Sequence, residues 1–261
     1  MKTLTQVRSR VSLGSLAQIV FKPQLITRLP KYFSDLRSYR KLEFAATGKH
    51  AELRLYPCLQ DDTHVQSAHS YYFYQDCWAA KQVFRERPAW LADLGSTLLL
   101  VGILSQFAKC ISVDYRPMQV DLEGLSPVGG TLLNLPFRDN SVPCITTMCV
   151  LEHVGLGRYG DPLSPLGTRE AVTEIARVIA PGGIVVYSVP AGRELNEFNA
   201  HRRFTYAQAA AFFSGWELID SCVLTPSAVP FESEAALAET ADPVVCFCFR
   251  KPAMTSDARP A

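Results

Sequence analysis

The chain has 261 residues, 48% of them apolar and 20% charged, with 26 Lys and Arg against 25 Asp and Glu. This composition allows one large domain with an extension and excludes a disordered chain. A formal net charge of +1 excludes a nucleic-acid binder that works through bulk charge. No apolar window approaches the roughly 18 residues of a membrane-spanning helix, since the longest run, Leu98 to Leu104, contains Gly102.

Eight cysteines form no Cys-x-x-Cys pair and no Cys/His cluster. No metal centre is expected, and the thiols read as free in a reducing cytoplasm.

Residues 1–41 carry nine Lys/Arg and one acid, Asp35. Val11, Leu13, Leu16, Ile19, Val20 and Phe21 lie close to helical spacing, and Pro23 breaks the pattern. We expect a basic helical extension over 1–45, either packed on the main domain or in peripheral contact with anionic lipid. A lead-in follows over 46–88. It has a polar stretch from Gln60 to His69, the aromatic run Tyr71–Tyr74, and a predicted helix over 75–87. An aromatic run is more often core than lid.

From residue 89 short strands and helices alternate. Strands are predicted over 89–93, 110–114, 130–133, 144–150, 184–189, 216–223 and 244–249. Helices are predicted over 98–107, 168–179 and 205–213, with Thr205 as an N-cap and Pro181-Gly182-Gly183 as a terminator. This alternation predicts a mostly parallel sheet covered on both faces over 89–251, then a loose tail over 252–261. Cys246 and Cys248 should share one strand face and serve packing.

In such sheets ligands bind beyond the C-terminal strand ends. The turn Asp93-Leu94-Gly95-Ser96-Thr97 lies there, and Asp114 ends the next strand 21 residues after Asp93. An acid at that place accepts ribose hydroxyls. Dinucleotide and S-adenosylmethionine (SAM) folds share this spacing. The next glycine after Gly95 is Gly102, so Gly-x-Gly-x-x-Gly is absent and a nicotinamide-dependent oxidoreductase is disfavoured.

Arg177-Val178-Ile179-Ala180-Pro181-Gly182-Gly183 precedes an apolar strand, with Leu135-Pro136-Phe137 and Val150-Leu151-Glu152-His153-Val154 upstream. Over residues 89–220 the chain resembles class I SAM-dependent methyltransferases of the type 11 kind. Three further pieces resemble a subgroup known only as a domain of unknown function. They are His69-Ser70-Tyr71-Tyr72-Phe73-Tyr74-Gln75-Asp76, Gly155 to Pro162, and Asn199-Ala200-His201-Arg202.

The resemblance implies a Rossmann-like α/β fold of seven strands, the last antiparallel, and SAM as cofactor. It implies that Asp93, Gly95 and Ser96 form the first cofactor loop and that Asp114 binds the ribose. Tyr115, Thr131 and Leu132 would border the adenine, and Leu151 and Glu152 the donor pocket. Thr131 stands where many relatives have an acid, and Pro143 replaces an Asp.

Methyl transfer needs positioning and, for an oxygen or nitrogen acceptor, a general base. His201 and His153 are the candidates, with loop anchoring and turn capping as the structural alternatives. Tyr74 and Gln75 are candidate lid residues, and Arg158, Tyr159, Asn199 and Arg202 candidate acceptor contacts. Arg158, Arg193 and Arg202 together would suit an anionic group. The expected activity is SAM-dependent methylation of a small molecule, with a sugar or glycolipid intermediate as the candidate acceptor. The alternative is a catalytically degenerate binding or regulatory protein on the same fold.

Overall fold

The expected alternation closes into one seven-stranded sheet. The structure is a computed structural model and describes residues 23–53, 55, 57–59, 71–225 and 243–253. The chain divides into two units, Met1–Ser67 and Ala68–Ala261. The apolar spacing from Val11 to Phe21, the polar stretch from Gln60 to His69 and most of the tail lie outside the described residues.

In the first unit a 3-10 turn, Pro23–Arg28, leads into α1, Leu29–Thr47. Gly48 ends α1 in the left-handed conformation, with its N–H donating to Phe44 O. Glu43 then ties the chain that follows, accepting from Ala51 N at 3.1 Å.

The second unit begins with α2, Tyr71–Glu86. The aromatic run opens this helix instead of preceding it. Tyr71 and Tyr74 reach the same core as Trp78, which helical spacing brings to one face. The sheet comprises β1 Trp90–Leu94, β2 Lys109–Asp114, β3 Leu125–Gly129, β4 Val142–Met148, β5 Ile179–Pro190, β8 Glu217–Leu224 and β9 Val244–Arg250. Its order is β3-β2-β1-β4-β5-β9-β8. The pairs from β3 to β5 are parallel, and β9 runs antiparallel to β5 and β8. The last strand is thus the reversed one, as expected. β6 Leu195–Glu197 and β7 His201–Arg203 form a separate hairpin where the sequence showed only a polar loop.

Strand alternation divides the core between two faces. Val185, Tyr187, Val245 and Phe247 pack on one side. Val186, Cys246 and Cys248 pack on the other with Trp78 and Leu100. Cys246 and Cys248 therefore do share a buried face. All eight cysteines are free thiols. Helix α3, Leu98–Leu104, is capped by Thr97, and α4, Gly167–Val178, buries Ala171, Val172, Ile175 and Val178. Helix α5, Tyr206–Ala210, opens with a capping box between Thr205 and Gln208.

Two predicted elements move. The third strand is 125–129, not 130–133. Pro127 is tolerated because β3 is an edge strand, and Thr131 starts a tight turn bridged to Asn134. Pro181-Gly182-Gly183 does not terminate α4; it lies inside β5, beside a register shift between Val142 and Cys144. A Cβ on Gly183 would lie 2.8 Å from Pro143 O, so only glycine fits this approach. No helix among the described residues is long and apolar enough to cross a membrane.

Candidate cofactor and acceptor site

Parallel pairing gathers the C-terminal ends of β1 to β5 on one side, and two adjoining clefts open there. The first, of about 650 Å³, is lined by Gly95, Asp114, Tyr115, Arg116, Thr131 and Leu132, and by Cys149 to Val154 in part. The second, of about 1240 Å³, is lined by Tyr71, Tyr72, Gly95 to Thr97, Glu152, His153, Arg158, Glu197, His201 and Arg203. Gly95, Cys149, His153 and Tyr159 belong to both.

Gly95 follows β1 with φ +72°. An added Cβ would lie 3.1 Å from Val150 Cγ1 and 3.4 Å from Asp114 Oδ2. The missing side chain is what leaves backbone open toward Asp114. Asp114 Oδ1 accepts from Arg116 N at 2.6 Å. Backbone thus orients one carboxylate oxygen and leaves the other facing Gly95. Gly95, Asp114, Tyr115, Thr131 and Leu132 line one cleft together. Thr131 Oγ1 accepts from Leu133 N at 3.2 Å, holding its own turn.

Asp93 has a different place. It is fully buried, accepting from Ser96 N at 3.0 Å and from Thr146 Oγ1 at 2.6 Å. Burial raises its carboxyl to about 6 against those hydrogen bonds. It shapes the loop and does not line either cleft. Ser96 Oγ accepts from Met148 N at 3.0 Å, joining the same loop to the end of β4. Leu151 is core, with no exposed surface.

Gln75 is no lid residue either. It is fully buried, and its Oε1 accepts from Ser188 Oγ at 2.8 Å and Cys149 Sγ at 3.1 Å. Tyr74 packs against the core, and the cleft side of α2 is instead formed by Tyr71 and Tyr72. One helical turn separates a lid position from a core position, and spacing alone did not choose between them.

The loop after β4 is braced from within. Asp161 accepts from Gly155 N at 2.7 Å and from Tyr159 N at 3.3 Å. Arg116 lies 4.3 Å over the Tyr159 ring, which draws the two loops together. Arg202 was expected at the acceptor; it is buried and serves this loop. Its Nη1 donates to Val154 O at 2.6 Å and Thr168 Oγ1 at 3.2 Å, and Nη2 to Ser164 O at 3.0 Å. Asn199 is exposed with φ +62° and makes the β6–β7 turn outside the clefts. Arg193 is exposed and also outside them. The cationic groups that line the clefts are Arg116, Arg158 and Arg203, of which sequence reasoning found only Arg158. Arg203 follows Arg202 on a strand, so period-2 alternation was the available signal.

Both candidate bases reach the second cleft. His201 Nε2 lies 3.0 Å from Glu197 Oε2, its cross-strand partner. Their rings, His153 and His201, meet edge-on at 6.3 Å. His153 Nδ1 donates to Ala200 O at 2.6 Å, which leaves its Nε2 to accept. Burial holds His153 down at about 4, partly offset by that hydrogen bond. Glu152 is 1% exposed, and its Oε2 has no hydrogen-bond partner. Burial pushes its carboxyl up to about 8.

The fit to SAM rests on the Gly95–Asp114 cradle. Asp114 would take the ribose hydroxyls, and Leu132 and Tyr115 would border the base.

Residues 137–240 match the family described as Caenorhabditis protein of unknown function, DUF268. No curated protein matches the chain. Among solved structures, the YcgJ protein from Bacillus subtilis is similar at TM-score 0.51 and 15% identity, covering 70% of this chain and all (100%) of that one. The [4+2]-cyclase SpnF gives 0.53 and 16%, covering 75% and 86%. The Burkholderia thailandensis 1,6-didemethyltoxoflavin-N1-methyltransferase, solved with S-adenosylhomocysteine, gives 0.50 and 15%, covering 85% and 89%. At such identities the likeness concerns the fold alone: this chain has a Rossmann-like fold shared with solved methyltransferases, and its match to DUF268 is confined to residues 137–240.

Proposed function

We propose that the protein is a SAM-dependent methyltransferase acting on a small-molecule acceptor, with a sugar or glycolipid intermediate as the candidate. The observation that carries this reading is the cradle of Gly95 and Asp114 opening directly into a second, more polar cleft. When bound, SAM supplies an activated sulfonium methyl.

The chain's own residues supply the rest. Asp114 binds the ribose hydroxyls with the carboxylate oxygen that Arg116 N–H does not hold. Tyr71, Tyr72 and Tyr159 wall the second cleft and exclude water. His201 directs Nε2 at the Glu197 carboxylate, so Nδ1 takes the proton of an acceptor hydroxyl. His153, neutral and held by Ala200 O, orients the acceptor through Nε2. Arg158 and Arg203 favour an acceptor bearing an anionic group.

Calorimetric titration with S-adenosylhomocysteine tests the cofactor. Saturable binding is expected, weakened at least about tenfold by Asp114→Ala, since charge-assisted hydrogen bonds contribute about 1.5–3 kcal/mol. A folded protein that binds neither SAM nor its product overturns the reading in favour of a degenerate fold.

The reading is of a cytoplasmic enzyme, and contact with anionic lipid is the second reading of the basic residues 1–41, beside a solvated basic helix. The full chain should then co-sediment with phosphatidylserine vesicles, and replacing Arg8, Arg10 and Lys22 by Glu should abolish this. Equal sedimentation of both chains would refute the contact.

A further inference from the structure

Six large apolar side chains stay in solvent on one side of the second unit. Phe73, Phe84, Leu98, Leu99, Ile103 and Phe107 are each between 43% and 69% exposed. Single exposed apolar residues are ordinary, whereas a contiguous apolar face marks an interaction site. These six are contiguous. On α2, Phe73 and the exposed Cys77 stand four residues apart, and Lys81 and Phe84 continue the stripe. On α3 and the turn after it, Leu99, Ile103 and Phe107 follow at the same spacing. Two contacts set the helices side by side and parallel. Thr97 Oγ1 donates to Asp76 Oδ2 at 2.7 Å near the start of α3, and the Phe84 and Phe107 rings meet edge-on at 6.1 Å beyond its end. Gly102 leaves a dip beside Leu98, Leu99 and Ile103, where an added Cβ would meet nothing within 4 Å.

Charge is sorted to the two edges of this face. Helix α2 lies over β4 and β5 and brings the exposed Lys81 and Arg85, with Arg87 just after it. Helix α3 lies over β2. Beyond it the connection to β3 carries the exposed Asp121 and Glu123, with Lys109 at the start of β2. Gly124 of that connection packs on Ser105, directly after α3. On the α2 side Asp76 is buried against Thr97, Glu86 pairs with Arg250 at 2.9 Å, and Asp220 lies 3.6 Å from Arg85. A basic edge, an apolar middle and an acidic edge make the face complementary to itself.

We propose that a second copy of this chain covers the α2–α3 face, in a two-fold dimer whose axis runs along the two helices. Such an axis lays α2 of one copy over α3 of the other. Phe73 and Phe84 then meet Leu98, Leu99 and Ile103, a ring enters the dip at Gly102, and the basic edge meets the acidic one. An anionic bilayer would complement the basic edge alone and would face Asp121 and Glu123 as like charges. The face begins at the second cleft, because Tyr72 and Thr97 line that cleft and directly precede Phe73 and Leu98. The dimer therefore sets the second clefts of both copies side by side.

Sedimentation equilibrium of the full chain, from micromolar concentration to about 0.1 mM, tests this with Gly102→Arg and Leu99→Glu. Arginine at position 102 needs no room inside the chain and replaces a poor helix former, so the variant should keep the native circular dichroism. The native chain should sediment at twice the chain mass. Both variants should sediment at the chain mass, with dimer dissociation constants raised at least about a hundredfold. Alkylation of Cys77, read by mass spectrometry, should be slow in the native dimer and fast in Gly102→Arg. A native chain that stays monomeric over this range overturns the proposal. So does a dimer that persists in either folded variant, since its contact then lies elsewhere. A monomer that pellets with phosphatidylserine vesicles, and no longer does so as Leu99→Glu, gives the face to a bilayer and overturns it too.

Discussion

Replacing Gly95 by Ala is expected to abolish measurable S-adenosylhomocysteine binding while leaving the chain folded. Gly95 has φ +72°, where an L side chain costs roughly 1–2 kcal/mol. The new methyl would meet Val150 Cγ1 at 3.1 Å and Asp114 Oδ2 at 3.4 Å. Val150 must give by a few tenths of an ångström, or the loop must turn away. Either response moves the backbone that faces the Asp114 carboxylate. Thermal unfolding should show a loss of only about 1–3 kcal/mol, the cost of mild overpacking. Calorimetry should show at least about a hundredfold loss of affinity, equivalent to roughly 2.7 kcal/mol. An Ala variant that binds as tightly as the native chain would remove Gly95 from the site.

Arg202→Leu should have the opposite profile, a large loss of stability with no direct loss of a ligand contact. Arg202 is 8% exposed and donates to Val154 O, Thr168 Oγ1 and Ser164 O. Leucine leaves these acceptors without a donor, and each stranded buried group costs about 1–3 kcal/mol. A total of about 3–5 kcal/mol would lower Tm by roughly 6–20 °C in a chain of this size. The cleft-lining Arg203→Leu should lower Tm far less. Comparable melting of the two variants would refute the brace. Were Arg202 an acceptor contact, its loss would leave Tm unchanged.

Arg202 and Arg203 also show where reading the chain reached its limit. Both sit in a polar stretch, and nothing local says which one faces the protein. The hairpin decides it, because β7 pairs with β6 and alternation sends successive side chains opposite ways. Asp93 and Gln75, expected in the cofactor loop and the lid, changed role for a related reason. The resemblance placed Asp93 at the cofactor and closeness to the first strand placed Gln75 in the lid, yet both are fully buried and spend their hydrogen bonds on Thr146, Ser96, Ser188 and Cys149. Burial depends on what packs above, and only the docking of α2 and the end of β4 supplied it. Tyr71 and Tyr72 were passed over for Tyr74 because Tyr74 lies closer to the first strand in the chain, whereas the helix opens at Tyr71 and puts Tyr71 and Tyr72 at the cleft.

What the amino-acid sequence determined by itself was the order of strands and helices, the reversed last strand implied by resemblance, and the loop positions of Gly95 and Asp114. The element order and the loop positions follow from local periodicity and chain order, the reversed strand from the resemblance alone, and the parallel sheet then carries β1 and β2 ends to one side. The tertiary structure alone decided which polar side chains meet a ligand and which hold the loops. It set Arg202 into three acceptors, turned Asp114 toward Gly95, and buried Glu152 with its Oε2 left without a hydrogen bond. The physical reason is that a hydrogen bond or a buried charge is a relation between segments distant in the chain, and no local pattern encodes its partner.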